Sequence, residues 1–174
     1  MRKIKLPLEK KEIAKLKIGD EVALNGIVYT ARDQAHRRIV KLMKNGRPLP
    51  FDLRGETIYY TGPTPPCDGA VIGSCGPTTS ARMDKFTPAL LKGGLRGMIG
   101  KGRRSEEIRR AIKKYNAVYF LALGGAGALL SGYVKSNELI AFSDLGPEAI
   151  YRLEVKNFPV IVGIDTKGRD IYEG

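Results

Sequence analysis

The sequence has no tryptophan, one histidine and two cysteines in 174 residues. Each scarcity removes a class of function. A structural zinc site takes four ligands and an iron–sulfur cluster usually takes three or four thiolates. Cys67, Cys75 and His36 therefore cannot hold either within this chain alone. No aromatic cluster interleaves with the basic runs, which argues against a stacking platform for single-stranded nucleic acid. No apolar run approaches the ~18–20 residues of a membrane-spanning helix. The opening MRKIKLPLEKK lacks the apolar core of a secretory signal. With so little cysteine, a reducing, cytoplasmic setting is expected. No Gly-x-Ser-x-Gly elbow occurs, which disfavours acyl transfer by a serine triad.

Acidic residues are also in the minority, 18 against 30 lysines and arginines, for a net charge of +12. The excess is uneven. Residues 1–17 hold seven basic and two acidic side chains, residues 96–114 hold eight and two, and residues from 138 onward hold four and seven. Such a balance implies an anionic partner: nucleic acid, an acidic protein or a charged metabolite. Glycine is plentiful, 21 residues against a typical ~7%. This abundance points to tight turns and to places where the backbone is closely approached.

Strand-like and helix-like patterns alternate along the whole chain, with no linker or repeat. Lys3–Leu8 alternates as a strand, and Lys10–Lys17 reads as a short helix stopped at Gly19. Val22–Leu24 and Ile27–Thr30 flank Asn25-Gly26, a hairpin signal. Asp33 is the expected N-cap of a helix with Ala35, Ile39, Val40 and Met43 on its apolar face and Gly46 as its stop. Thr57–Thr61 and Ala70–Ser74 read as short strands, and the loop Gly76–Ser80 opens a helix to about Lys92. Arg96–Ile99 is a strand. Ser105 caps a helix with Ile108, Ala111, Ile112 and Tyr115 inside. Val118–Leu123 is a strand, and Ala128 to about Val134 a small-residue helix. Ala149–Val155, Val160–Ile164 and Asp170–Tyr172 read as three closing strands, the last two joined by a turn at Asp165–Gly168. The expected fold is a single α/β domain with a mixed sheet over residues 1–174.

Four stretches carry possible chemistry. Arg32 and His36 are four residues apart, so at a helix start they share a face. A cation and an imidazole pointing one way can hold a carboxylate and move a proton; a surface histidine on a basic helix is the plainer alternative. Gly76-Pro77-Thr78-Thr79-Ser80-Ala81-Arg82 places three hydroxyls at an expected helix start, where amide N–H groups favour an anion. Arg82 lies four residues after Thr78 and can join it around one carboxylate; simple capping is the alternative. Lys101 stands between Gly100 and Gly102, able to reach an anion in a pocket or to sit in a solvated turn. Gly124-Gly125-Ala126-Gly127 approaches a dinucleotide fingerprint, but Leu130 stands where the third glycine belongs. A close-packed strand–helix turn is the expectation there.

Taken together these stretches resemble the β subunit, or C-terminal catalytic domain, of class I iron–sulfur fumarate hydratases and L-tartrate dehydratases. The carrying residues are Thr30-Ala31-Arg32-Asp33-Gln34-Ala35-His36, Gly76-Pro77-Thr78-Thr79-Ser80-Ala81-Arg82-Met83-Asp84, Ile99-Gly100-Lys101-Gly102, Gly124-Gly125-Ala126, Leu145-Gly146-Pro147-Glu148-Ala149-Ile150 and Phe158-Pro159. Ser80-Ala81 stands where the family usually has Ala-Gly. The resemblance implies a swivelling β/β/α fold. It also implies an α subunit that carries a [4Fe–4S] cluster, in an assembly of two α and two β chains. Arg32, Thr78, Thr79, Arg82 and Lys101 would bind a dicarboxylate. Thr78, by resemblance, and His36, by intrinsic pKa, both stand as candidates for the general base. Three functions remain in view: reversible hydration of fumarate to malate, tartrate dehydration, and a basic nucleic-acid-binding module supported by net charge alone.

Overall fold

Five strands lie parallel, each returning to the sheet through a helix or long loop: β1 (Arg2–Lys5), β2 (Glu21–Thr30), β3 (Thr57–Tyr59), β4 (Gly97–Gly100) and β5 (Val118–Leu121). The structure is a computed structural model and describes residues 1–173. The crossovers contain α1 (Lys10–Ile13), α2 (Asp33–Lys44), α3 (Thr87–Lys92) and α4 (Glu106–Tyr115). After β5 come α5 (Gly127–Ser131), β6 (Val134–Ala141) and β7 (Ile150–Ile164). β7 runs antiparallel to β6, to β2 and to β5. Because β7 touches both β2 and β5, the path β2–β3–β4–β5–β7 closes on itself.

Strand side chains alternate between faces, and the closed path gives each face a core. Tyr59, Ile99, Val118 and Phe120 point inward, against Val22, Leu24 and Val28 of β2 and Leu153, Val155, Phe158, Val160 and Val162 of β7. Ile58, Tyr60, Met98 and Tyr119 point outward to Ala35 and Ile39 of α2, Leu90 and Leu91 of α3, and Ile108 and Ile112 of α4. The result is a β layer, a second β layer and a helical layer, a mixed α/β arrangement of the expected class. Among the described residues no helix is long and apolar enough to cross a membrane.

α4 forms as its sequence dictates. The Ser105 hydroxyl accepts from the Ile108 amide, Glu106 and Glu107 lie in the first turn, and Asn116 ends the helix with φ at +51°. Several other elements differ from expectation. Asn25-Gly26 makes no hairpin; β2 runs straight through it. Lys156 and Asn157 of β7 stand opposite Asn25 alone, a bulge that the Asn25 side chain stabilises by accepting from the Asn157 amide at 2.9 Å. Glycine is needed at 26 because a Cβ there would come within 2.9 Å of the Leu6 Cβ and carbonyl oxygen.

Arg32, not Asp33, is the cap residue of α2, and no side chain caps it. The helix expected from Gly76–Ser80 to Lys92 is a 3₁₀ turn, Ser80–Met83, followed by the separate α3, which has Pro88 in its first turn. Ala70–Ser74 is irregular. The helix after Gly127 ends at Ser131, and residues 134–141 form the unforeseen strand β6. The two expected strands on either side of Asn157 are one strand of fifteen residues. Asp170–Tyr172 forms one bridge to Ile164 and then a 3₁₀ turn, while the turn at Asp165–Gly168 is present.

Candidate active site

Parallel strands deliver their carboxyl ends to one edge, and in α/β sheets ligands gather off that edge. Here β2 leads into Arg32, β3 into Thr61 and Gly62, β4 into Lys101, and β5 into Leu123–Gly127. The loop after β3 comes back to the same edge. The Thr78 amide donates to the Tyr60 carbonyl at 2.6 Å and the Ser80 amide to the Lys101 carbonyl at 3.0 Å. Thr79 and Lys101 thus form a parallel rung beyond the end of β4. The helix start expected to favour an anion is absent: Thr78 and Thr79 precede only a single 3₁₀ turn and are placed by strand ends instead.

The structure brings five of the six predicted residues to this edge. Arg82 forms two bonds to Asp33, from Nε at 3.1 Å and from the terminal nitrogen at 2.9 Å. This fork ties the 3₁₀ turn to the start of α2. Arg32 Nε lies 4.0 Å from Asp33 and 4.0 Å from Glu148, and among the described residues it has no hydrogen-bond partner although it is buried. Gly62 leaves room for it: a Cβ there would stand 3.1 Å from Arg32 Cδ and 3.2 Å from the Pro147 carbonyl. Thr30 holds the 146–149 turn nearby, its hydroxyl donating to the Ala149 carbonyl and accepting from the Tyr151 amide. Lys101 lays its aliphatic stem beside Gly124, 3.5 Å from where a Cβ would be. Among the described residues its ammonium forms no ion pair and no hydrogen bond engages the Thr78 or Thr79 hydroxyls. The edge therefore offers one arginine forked onto a carboxylate, a second arginine near two carboxylates without a hydrogen bond from Nε, one uncommitted ammonium and two uncommitted hydroxyls.

His36 goes elsewhere. It does not share an open face with Arg32; its ring is fully buried, against Tyr60 and Phe86 with centroids 5.4 and 5.8 Å away. Nδ1 lies 2.8 Å from the Arg32 carbonyl oxygen. Burial holds its pKa down at about 4. Neither a surface position nor contact with a ligand at the edge is compatible with that placement.

Under the edge lies a polar set that sequence reasoning missed. The Arg104 side chain is 0% exposed; it donates to Asp84 at 2.6 Å and to Thr87 at 2.8 Å and lies over the rings of Tyr60 and Tyr119. Tyr119 Oη is 2.9 Å from the Gly102 carbonyl and 2.8 Å from Ser80 Oγ. A carbonyl only accepts, so the phenol proton belongs to Gly102 and the Ser80 hydroxyl donates to Tyr119. Ser80 sits on Gly100: a Cβ at 100 would be 1.9 Å from Ser80 Oγ and 2.9 Å from Tyr60 Cδ2. Gly100→Ala is accordingly expected to cost about 1–3 kcal/mol by overpacking, read as a lower urea midpoint. Adding Ser80→Gly should recover part of the loss, and no recovery would mean that the serine is not the obstacle.

Gly124–Gly127 is the close-packed turn expected of it. A Cβ at Gly127 would fall 2.2 Å from Ser74 Oγ and 2.8 Å from the Gly76 amide nitrogen. Beside this turn Met1, Leu123 and Leu129 are exposed and line a shallow apolar hollow with Pro159 and Ile161. Cys67 is exposed and Cys75 buried, with burial pushing the Cys75 thiol up to about 11. Among the described residues no three histidines, cysteines or carboxylates are placed to hold a metal ion.

Comparison with known proteins places this geometry in context. The family model described as fumarase C-terminus matches residues 1–174. A protein of Methanocaldococcus jannaschii named, provisionally, L(+)-tartrate dehydratase subunit beta is 45% identical over 172 residues, covering 95% of this chain and 88% of that one. Fumarate hydratase 1, mitochondrial, of Leishmania major is 38% identical over 170 residues, covering 97% of this chain and 31% of its own length. The aerobic class I fumarate hydratase of Escherichia coli K12 is 37% identical, over 93% of this chain and 30% of its own length. The chain thus spans most of the first protein and under a third of the two fumarate hydratases.

Proposed function

The chain belongs to the fumarase C-terminus family, and we propose that it is the β subunit of a class I fumarate hydratase, a hydro-lyase that interconverts fumarate and (S)-malate together with an α subunit. The observation that supports this reading is the gathering of Arg32, Arg82, Lys101, Thr78 and Thr79 at one strand edge, with Arg82 held by Asp33 and the lysine uncommitted. Fumarate and malate present two carboxylates, and a cationic edge with hydroxyl donors is complementary to them.

In dehydration a C–H bond adjacent to one carboxylate breaks, its electron pair forms the double bond, and the neighbouring C–O bond breaks to release the hydroxyl. Negative charge grows on the carboxylate beside the departing proton. Cations fixed before the reaction stabilise that charge more in the transition state than in the ground state. Arg32 and Arg82 hold the diacid, Lys101 meets the developing charge, and Thr78 would take the proton as its alkoxide, a form that neighbouring cations favour; the released hydroxide and that proton together make up the water lost. The buried imidazole of His36, with its pKa held down, supports Thr78 over His36 in that role.

Class I fumarate hydratases are iron–sulfur enzymes, and this chain's residues do not fit a cluster. One of its two thiols is exposed, the other is buried with a raised pKa, and among the described residues no metal-ligating group surrounds either. We therefore assign the [4Fe–4S] cluster to the α subunit; an assembly of two α and two β chains is what the family resemblance implies. The exposed apolar strip at Met1, Leu123 and Leu129, next to the edge, supports a partner that covers it.

A second reading, the β subunit of an L-tartrate dehydratase, is favoured by the greater identity and coverage of the Methanocaldococcus relative. The two substrates differ by one hydroxyl, which a site can discriminate strongly. Anaerobic assembly with the cluster-loaded α subunit, followed by side-by-side kinetics on malate and L-tartrate, separates them. Higher kcat/KM for malate is expected. A higher value for tartrate transfers the assignment to the second reading, and inactivity on both discards the hydro-lyase. The nucleic-acid module retains only the net charge in its favour.

A further inference from the structure

The Arg32 carbonyl oxygen is held twice by one residue. It accepts the backbone amide of His36 at 2.9 Å, the first hydrogen bond of α2, and Nδ1 of the same His36 at 2.8 Å. Because a carbonyl only accepts, the Nδ1 position carries the proton and Nε2 is the bare nitrogen. Nε2 is buried and has no partner among the described residues. A buried acceptor without a donor is costly, so a position selected for packing alone would favour an apolar ring. The donor on the other nitrogen is what distinguishes histidine from phenylalanine here.

Arg32 is also the residue at which the chain turns from β2 into α2, with φ at −114° and ψ at −158°. Its side chain has to pass over Gly62 and leave Nε midway between Asp33 and Glu148, unpartnered. Nε itself is buried, but the Arg32 side chain is 28% exposed, so the outer part of the guanidinium can meet a ligand oxygen at the edge.

We propose that His36 is a positioning residue, a neutral imidazole whose Nδ1–H locks the Arg32 peptide and thereby aims the Arg32 guanidinium at the diacid. The proposal rests on the reading of Arg32 as a substrate-binding residue. The surroundings favour the neutral ring. Tyr60 from the end of β3 and Phe86 from before α3 enclose it, the Arg104 cation lies beyond Tyr60, and Asp33, the nearby carboxylate, is engaged by Arg82. A second cation in that enclosure would be repelled by Arg104 and poorly solvated.

The chain has one histidine, so its imidazole nitrogens give unambiguous signals. Long-range ¹H–¹⁵N spectra of the ¹⁵N-labelled chain are expected to show the Nδ1-protonated tautomer unchanged from pH 8 down to pH 5. An Nε2-protonated ring, or titration with a midpoint between 6 and 7, overturns the proposal. In the assembled enzyme, His36→Asn keeps a donor near the carbonyl and is expected to retain at least about a tenth of kcat/KM with an unshifted pH profile. His36→Phe removes the donor and is expected to raise KM for the diacid about tenfold with a smaller change in kcat.

Equal losses of kcat in both variants, of the ~10²–10⁴-fold size typical of a lost general base, would make His36 the proton carrier and overturn positioning. Should His36→Phe not fold, the tautomer and the His36→Asn profile decide. A wild-type assembly inactive on malate and tartrate instead sinks the functional reading, and this role with it. An active wild type with the wrong tautomer sinks only the role of His36.

Discussion

Lys101→Met is expected to lower kcat/KM for the diacid about 10²–10³-fold in the assembled enzyme, the size of effect seen when one preorganised donor to a developing charge is lost. The argument rests on what the side chain does not do. Arg32 and Arg82 are near or bonded to carboxylates of the chain itself, so part of their charge is already balanced. The Lys101 ammonium is not, and the Thr79–Lys101 rung fixes its backbone from both sides. Methionine keeps an unbranched stem against Gly124 while removing the charge. The melting temperature of the chain should therefore move by no more than about 2 °C, since exposed substitutions that keep packing usually change stability by less than ~0.5 kcal/mol. A kcat/KM within threefold of wild type would remove Lys101 from the site.

Arg104→Met should instead act on the fold. Removing one partner from a buried ion pair leaves the other charge uncompensated, at a cost of about 3–5 kcal/mol. For a chain of this size, that corresponds to a fall in melting temperature of roughly 10 °C. Arg104 is enclosed by Asp84, Thr87 and the rings of Tyr60 and Tyr119, and Asp84 in turn accepts from the Ser105 amide that begins α4. The loss would spread to the 3₁₀ turn bearing Arg82, because Asp84 anchors its far end. Adding Asp84→Asn should restore part of the stability, since the stranded charge is gone. If Arg104→Met is as stable as wild type, the buried cation is dispensable and the edge is held by its strands alone.

The parts of this molecule legible in the sequence were those governed by neighbouring residues. Ser105 followed by two glutamates and an apolar face specified α4, and the run Val118–Phe120 specified β5. The edge residues Arg32, Thr78, Thr79, Arg82 and Lys101 were visible because each lies beside a glycine, a hydroxyl run or a strand end. What escaped was decided across the chain. Asn25-Gly26 has the composition of a tight turn, but β7, some 130 residues later, supplies the partner that keeps β2 straight. Lys135–Ala141 has few inward residues to announce a strand, since β6 lies on the rim with one neighbour. Asp33 was read as a cap and is a carboxylate for two arginines; only its adjacency to Arg32 hinted at that. His36 is expected on a face shared with Arg32, or on the surface of a basic helix, and nothing local reveals that Tyr60 and Phe86 fold over it. Arg104 sits in a basic run with exposed Lys101 and Arg103 beside it, so its burial had no signature.

The closing of β2, β3, β4, β5 and β7 into one circuit has a consequence for how the chain comes into being. During synthesis the first four of these strands emerge in order and can line up as they appear, but the gap between β2 and β5 is filled by residues 150–164. Until those emerge, a long flank of β2 has unpaired amides and carbonyls and the inner core lacks one wall. The nascent protein must therefore carry a sticky edge through most of its translation. Closing the circuit requires an early segment to capture a late one across more than a hundred residues, the kind of non-local pairing that slows folding.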